Sequence, residues 1–318
     1  MIANIPRISV LIITYKQETL IKRALDSLIK QKDYLYEICV SDDCSPDNTW
    51  QVLLDYQKQY PGFFKLNRNE SNVGIFENTE KTWTMPRGDV IYTMAGDDQC
   101  ADGWFKRVVE FFLTNGVDWR NELFCIYGDF QAIYPSGDTL VFHQNAIKKF
   151  PNEALRLALR GIICGRGCCF SINVLKRFEK VSAGRSHKAE HIQDRLLQIY
   201  TEKNYYIPQL SNIYYTGIGV STQIQDEDIY KDRLEIWPYT IKYLNSKGIG
   251  LYKKDIYYAH YNVAMKKFQY KHTVVGFFKC IYYFLSSIDF RLPQGNGVRH
   301  LCFSFFRRLP HKKPIYYR

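Results

Sequence analysis

The chain lacks any uncharged apolar run of about 18 residues, the length a helix needs to cross a bilayer, so no membrane span is expected. It also lacks any Cys-x-x-Cys pair. Its nine cysteines are odd in number and scattered; Cys164 and Cys168 are separated by three residues, and Cys168 and Cys169 are adjacent. That pattern argues against a disulfide framework and against zinc, and leaves reduced thiols serving as small core residues. The seven histidines show no metal-ligand spacing, and His187 and His191 lack the glutamate placement of a zinc-protease helix. No internal repeat, low-complexity tract or nucleic-acid motif is present, so no nucleic-acid partner is expected. No signal peptide is expected either, because Met1 to Arg7 leads straight into an apolar strand. Finally, the stretch Arg291 to Arg318 has no acid at all against seven Lys and Arg.

What is present fits a globular protein of one large or two smaller domains. The 318 residues are 46% hydrophobic and 24% charged, with a high aromatic share of 16%. The net charge of +11 is uneven: from Tyr230 onward there are 17 Lys and Arg against 4 Asp and Glu, while the remainder is nearly neutral. A basic back section of this kind faces an anionic surface or partner.

Apolar, β-branched runs alternate with helical spacing along the first hundred residues. Ile8 to Thr14 reads as a strand buried on both faces, and Glu18 to Lys30 as a helix. Glu37 to Ser41 is a second strand, Thr49 to Tyr60 a helix, Phe63 to Leu66 a strand, and Ile75 to Met85 a helix. The strand starting at Val90 follows. Such alternation predicts a parallel sheet with right-handed crossovers. Gly103 to Asn115 resumes helix, and Phe124 to Ile133 with Thr139 to Phe142 reads as a hairpin. A short strand at Cys168 to Ile172, a helix from His187 to Lys203, and helices near Ile229–Asn245, Asp255–Tyr270 and Thr273–Ser287 complete the reading. Two of the strands end in paired acids, Asp42-Asp43 and Asp97-Asp98. Ligands of open α/β sheets bind at the carboxyl ends of the strands, and carboxylates there suit a hard divalent cation that bridges phosphates.

Five blocks in order carry a family resemblance. They are Ile8 to Lys16; Ala24-Leu25-Asp26-Ser27-Leu28 with Gln31; Glu37 to Asp47; Asn72-Val73-Gly74 with Asn78 and Arg87-Gly88-Asp89; and Gly96-Asp97-Asp98. Over about residues 5 to 200 the chain resembles family 2 glycosyltransferases. The resemblance implies the GT-A fold, an α/β nucleotide-binding domain. It implies inverting transfer of a sugar from a nucleotide-sugar, here a UDP-sugar, with Mn²⁺ or Mg²⁺. It places Thr14, Tyr15, Glu18, Asp43 and Asp97 at the nucleotide, Asp43 accepting from the uracil ring N–H. Asp98 would ligate the metal, with Asp97 beside it. Asp194 matches the general base, with Glu190 one turn earlier on the same face as the fallback. Arg166, between two glycines, and Trp104 are further substrate-contact candidates. The sequence departs from the family pattern in having Lys16 where Asn is common, Ala95-Gly96 before the acid pair, Glu77 before Asn78 where Arg is common, and Gln193 before Asp194.

The expected organisation is a catalytic domain over 1–225, with a nucleotide half about 1–100 and an acceptor half about 101–225, and a helical, basic, aromatic region over 226–318. Cations interleaved with aromatics suit an anionic membrane interface, which points to a cytoplasmic enzyme peripheral to the inner face of the cell membrane. The same residues also fit a packed C-terminal subdomain with a solvated basic face, and the sequence leaves the choice open. Its acceptor would be a lipid-linked or other glycan in surface-polysaccharide or glycan assembly. Two other readings stand beside this one. A nucleotidyltransferase would need a glycine-rich loop after strand one, and Thr14-Tyr15-Lys16-Gln17-Glu18 has none. A non-catalytic nucleotide-sugar or nucleic-acid binding module would not need to retain Asp43, Asp97, Asp98 and Asp194 together. The sequence leaves the oligomeric state open.

Overall fold

A computed structural model describes residues 5–165, 167–177, 197–218, 240–270 and 272–292. The chain divides into two compact units: Met1–Ala154 with Cys164–Ser221, and Leu155–Ile163 with Thr222–Arg318.

The first unit is an α/β sheet in the GT-A arrangement. Strands β1 (Ile8–Thr14), β2 (Glu37–Asp42), β3 (Phe64–Arg68) and β4 (Val90–Ala95) alternate with helices α1 (Ile21–Ile29), α2 (Thr49–Gln59) and α3 (Ile75–Trp83). The four strands are parallel in the order β3-β2-β1-β4. The chain therefore moves outward from β1 through β2 to β3 and then returns to β1's other side. That reversal puts a crevice at the carboxyl ends of β1 and β4, where such sheets bind ligands.

Beyond β4 come β5 (Gln99–Cys100), α4 (Trp104–Asn115), β6 (Phe124–Ile133), β7 (Thr139–Phe142), the short helix α5 (Ala146–Lys149), α6 (Ala154–Leu159), β8 (Cys169–Ser171), α7 (Ile172–Arg177) and β9 (Lys203–Tyr215). β8 runs antiparallel to both β4 and β6, so β6 is parallel to β4. β6 and β7 form the expected hairpin. The 13-residue β9 was not foreseen: the sequence reading carries a helix through Lys203 and leaves the stretch beyond it unassigned. Pro208 interrupts its alternation, and a proline argues against an interior strand. Here it lies where the β6–β9 register shifts, between the Tyr127–Tyr206 and Asp129–Leu210 pairs, so no ladder hydrogen bond is asked of it. The core beneath the sheet joins Ile8, Val10, Ile12, Leu25 and Leu28 to Tyr92, Trp104, Phe105 and Phe124.

In the second unit α8 (Lys253–Tyr270) and α9 (Val274–Ser287) pack through Tyr261, Ala264, Met265, Phe268 and Cys280. The Thr273 side chain caps α9 by accepting from the Gly276 N–H at 3.0 Å. Among the described residues no helix is long and apolar enough to cross a membrane.

Candidate functional site

The strand register brings the predicted residues together. Thr14 pairs with Asp42 across β1–β2, and Ile13 with Ala95 across β1–β4. The Asp43 N–H donates to the Thr14 carbonyl at 3.0 Å, and the Gly96 N–H to the Ile13 carbonyl at 3.0 Å. Thr14, Asp43, Asp97 and Asp98 are therefore buried side by side on one edge, with Tyr15 half-buried among them.

Asp43 is held by its own loop. One carboxylate oxygen accepts from the Val73 N–H (2.9 Å) and Asn69 Nδ2 (2.8 Å), the other from the Gly74 N–H (2.9 Å). A carboxylate offers about four lone-pair directions, so these three bonds orient it and leave one direction, on the oxygen that receives Gly74, for a further donor. Asn69 and Ser41 both bond the amide oxygen of Asn78, which extends the polar network into α3. Gly74, at φ 86°, lets the loop turn into α3 in a conformation that suits glycine. Next to Asp43, burial pushes the Asp42 carboxyl up, opposed by its hydrogen bonds from Ser45 and by Arg68. Glu18 sits at the periphery: its carboxylate accepts from the Asn48 N–H at 2.9 Å, at the start of α2.

Two non-glycine residues in these loops take left-handed backbone, Lys16 at φ 54° and Cys44 at φ 59°. Such strain costs roughly 1–2 kcal/mol per residue and gathers at functional sites. Position 16 is where the family pattern has Asn, which tolerates this conformation better than Lys.

The acid pair lies on the turn after β4. Asp98 is 2% exposed, and one of its carboxylate oxygens accepts from Asn212 Nδ2 at 3.2 Å. The Asp97 carbonyl accepts from Arg23 Nη2 at 2.6 Å, and the Arg23 guanidinium lies 3.5 Å over the Tyr215 ring. A Cβ on Gly96 would come within 2.4 Å of Gln17 Oε1 and 2.9 Å of Ile21, so the turn can press against β1 only with glycine there. Arg23 and Asn212 were not foreseen. Arg23 reads as a solvated residue of an amphipathic helix, and Asn212 belongs to the unforeseen β9.

Among the described residues no group of three or more metal-ligating side chains is present. A pair of buried carboxylates is nonetheless the donor set that Mg²⁺ or Mn²⁺ takes from a protein when phosphate and water complete the shell.

Trp104 needs correction. It is fully buried in the core of the first unit, and its ring fills the space that a Cβ on Gly128 would enter, at 2.7 Å. It packs and does not face a sugar. Asp194, Glu190 and Arg166 lie outside the described residues.

The sequence model described as Glycosyl transferase family 2 matches residues 9–177. The dTDP-rhamnosyl transferase RfbG of Shigella flexneri is 27% identical over 185 residues, covering 56% of this chain and 60% of that protein. An uncharacterised glycosyltransferase of Mycoplasma genitalium, MG025, is 33% identical over 106 residues, covering 33% of this chain and 36% of that one. The chain thus spans less than two thirds of these curated relatives. The crystal structure of S. aureus TarS 1–349 superposes with a TM-score of 0.59 at 16% identity, over 94% of this chain and 89% of that one, a likeness of fold. With its family model spanning more than half of its length, the chain belongs to family 2 of the glycosyl transferases.

Proposed function

We propose that the protein transfers a sugar, with inversion, from a UDP-sugar to a glycan acceptor carried on a lipid, in the assembly of a cell-surface polysaccharide. The observation that carries the reading is the convergence of Asp43, Asp97 and Asp98 on the crevice between β1 and β4. TarS has been solved with UDP-GlcNAc, and RfbG is named for a dTDP-sugar, so a pyrimidine nucleotide-sugar agrees with both names. Thr14 and Tyr15 line the base and ribose pocket, Glu18 supports it from the start of α2, and Asp43 pairs with the uracil N–H. Asp98, assisted by Asp97, would hold Mn²⁺ or Mg²⁺, whose chemistry is to neutralise the diphosphate as the glycosidic bond breaks. Arg23, fixed under the Asp97 carbonyl, keeps a cation beside the same turn. Asn212 orients the Asp98 carboxylate.

Asp194 takes the proton from the acceptor hydroxyl. Asp194→Asn is expected to lower turnover about 10²-fold while UDP affinity stays near native, since general base help is of that order. UDP release from a panel of UDP-sugars, measured with and without soluble acceptor, tests both the donor class and this residue. Crippling by Glu190→Gln with a mild Asp194→Asn would move the base from Asp194 to Glu190. Equal use of UDP- and GDP-sugars would remove the argument for a uracil pocket.

The second unit supports the lipid-side reading. On α9, Val274 (74% exposed), Val275 (64%), Phe278 (61%), Tyr282 (57%) and Leu285 (60%) fall on one stripe about a quarter of the helix wide. Lys279 is exposed beside them, and the section from Tyr230 onward carries the basic excess. An apolar stripe flanked by cations suits an anionic lipid surface. Phe278→Asp is expected to reduce sedimentation with phosphatidylglycerol vesicles several-fold at low salt and to leave UDP affinity unchanged. Native-level sedimentation by that variant would remove α9 from the lipid contact.

A further inference from the structure

A buried carboxylate outside the acid pair organises a second polar cluster on the same edge of the sheet. Asp129 is 6% exposed and accepts three hydrogen bonds: from His143 Nδ1 at 2.7 Å, the Gln144 N–H at 2.9 Å and the Tyr206 hydroxyl at 2.8 Å. Gln144, itself buried, donates to the Gly128 carbonyl and accepts from the Cys164 N–H, both at 2.7 Å. Ser211 Oγ donates to the Asp129 carbonyl at 3.0 Å, next to the Asn212 that orients Asp98.

The location follows from register. Tyr92 of β4 pairs with Cys169 of β8, and Cys169 pairs with Ile126 of β6. β4 and β6 run parallel, so Asp129 comes about level with Ala95, where the turn to Asp97-Asp98 begins. Two strand spacings separate them, about 10 Å. The bulge at Gly128–Asp129 takes the residue out of the regular ladder, a device common beside active sites.

The chemistry follows from occupancy. An acceptor-only carboxylate facing the imidazole makes Nδ1–H the donor, and in the neutral ring this leaves the lone pair on Nε2. The His143 side chain is 63% exposed while Asp129 anchors its inner nitrogen. An exposed imidazole held in one orientation by a buried acid can accept a hydrogen bond from a hydroxyl outside the protein. Beside it, Tyr206 also lines a groove of about 460 Å³ with Lys148, Pro151, Asn152, Tyr205 and Pro208. Aromatic faces with amide and ammonium groups between them match the apolar faces and hydroxyls of pyranose rings.

We propose that His143 binds a hydroxyl of the acceptor saccharide, that Asp129 is its positioning residue, and that the groove past Tyr206 takes the preceding sugars of an oligosaccharide acceptor. This deepens the glycosyltransferase reading and rests on it.

The test uses the full-length protein with its UDP-sugar donor and a set of octyl mono-, di- and trisaccharides as acceptor probes. His143→Ala is expected to raise the KM for an octyl oligosaccharide about tenfold, the loss of one hydrogen bond, with UDP affinity unchanged. His143→Gln, which keeps an accepting atom, should recover most of that loss. Asp129→Asn should raise the same KM and move the His143 ring ¹⁵N signals to those of the other tautomer, a change that mere loosening of the fold would not produce. Octyl trisaccharides should be used better than octyl monosaccharides. A native KM in His143→Ala, or a fall in kcat with KM untouched, overturns the assignment, and no gain from monosaccharide to trisaccharide removes the groove. A native protein that turns over no UDP-sugar instead sinks the donor reading on which this rests.

Discussion

Asp98→Asn is expected to lower sugar transfer about 10³-fold or more, the scale on which a lost electrostatic contact to a developing charge is felt. The substitution keeps volume and shape, which matters because Asp98 is almost wholly buried at the end of β4. The Asp98 N–H still bonds the Ala95 carbonyl at 3.2 Å, so the turn keeps its form. What changes is charge. The side chain loses half of the carboxylate pair available to a divalent cation, and its new amide can present N–H groups to Asn212 Nδ2, a donor that now bonds a carboxylate oxygen. Three measurements separate the causes: UDP release with Mn²⁺, Mn²⁺-dependent UDP affinity by calorimetry, and the melting temperature. The expected pattern is lost turnover and lost metal dependence of UDP binding with an intact melting transition. Full activity in the variant, or full native activity in excess chelator, ends the metal-dependent reading.

The candidate edge was readable because strand and helix periodicities alternate cleanly along the first hundred residues. The runs Ile8 to Thr14 and Val90 to Met94 are largely apolar, as expected of strands buried on both faces, and the acid pairs stand at the end of the Glu37 to Ser41 run and just past the Val90 strand. Chain order then fixes the sheet order and the crevice. The other half of the sheet obeys weaker signals. β9 mixes Tyr, Asn, Gln and Ser around Pro208, and its partner β6 is bulged, so neither alternation nor apolar content marks it. Its loss from the sequence reading carried Asn212 and Tyr206 with it. The short helices α5 and α6 were passed over for a similar reason, since four and six residues hold too little periodicity. Trp104 illustrates a further limit. A large aromatic six residues beyond an acid pair has the same local sequence whether it faces sugar or core. The decision lay in Gly128, 24 positions downstream, whose missing side chain makes room for the ring.

Asp255→Ala is expected to destabilise the second unit by about 3–5 kcal/mol, the range for removing one partner from a buried ion pair. Asp255 is 3% exposed and receives Arg156 Nε at 2.7 Å and Arg160 Nε at 2.8 Å, one on each oxygen. The two arginines stand four residues apart around the end of α6, and both are buried. Arg156 reaches on to Asp289 at 2.7 Å, while Arg160 also donates to the Ser287 carbonyl at 3.0 Å. Removing Asp255 takes a carboxylate from two buried guanidinium groups, of which Arg156 keeps its bond to Asp289 and Arg160 its bond to the Ser287 carbonyl. Geometry here contributes more than charge count. The surface pair Lys81–Glu77, at 3.8 Å and well exposed, should contribute only a few tenths of a kcal/mol. Asp289 adds a pH signature. The hydrogen bonds from Arg291, then those from Arg156, hold its carboxyl well below the ordinary range against the opposing effect of burial. A folded pKa below the unfolded value of about 3.9 stabilises the fold above that pH, and the contribution fades as pH falls toward the folded value. Urea unfolding at pH 7 should therefore show the full Asp255→Ala deficit. Native stability should decline below about pH 4, and Asp289→Asn should flatten that decline. A loss under 1 kcal/mol in Asp255→Ala, with fluorescence and circular dichroism transitions still coincident, would show that the arginines find other partners and that the network does not hold α6 to α8.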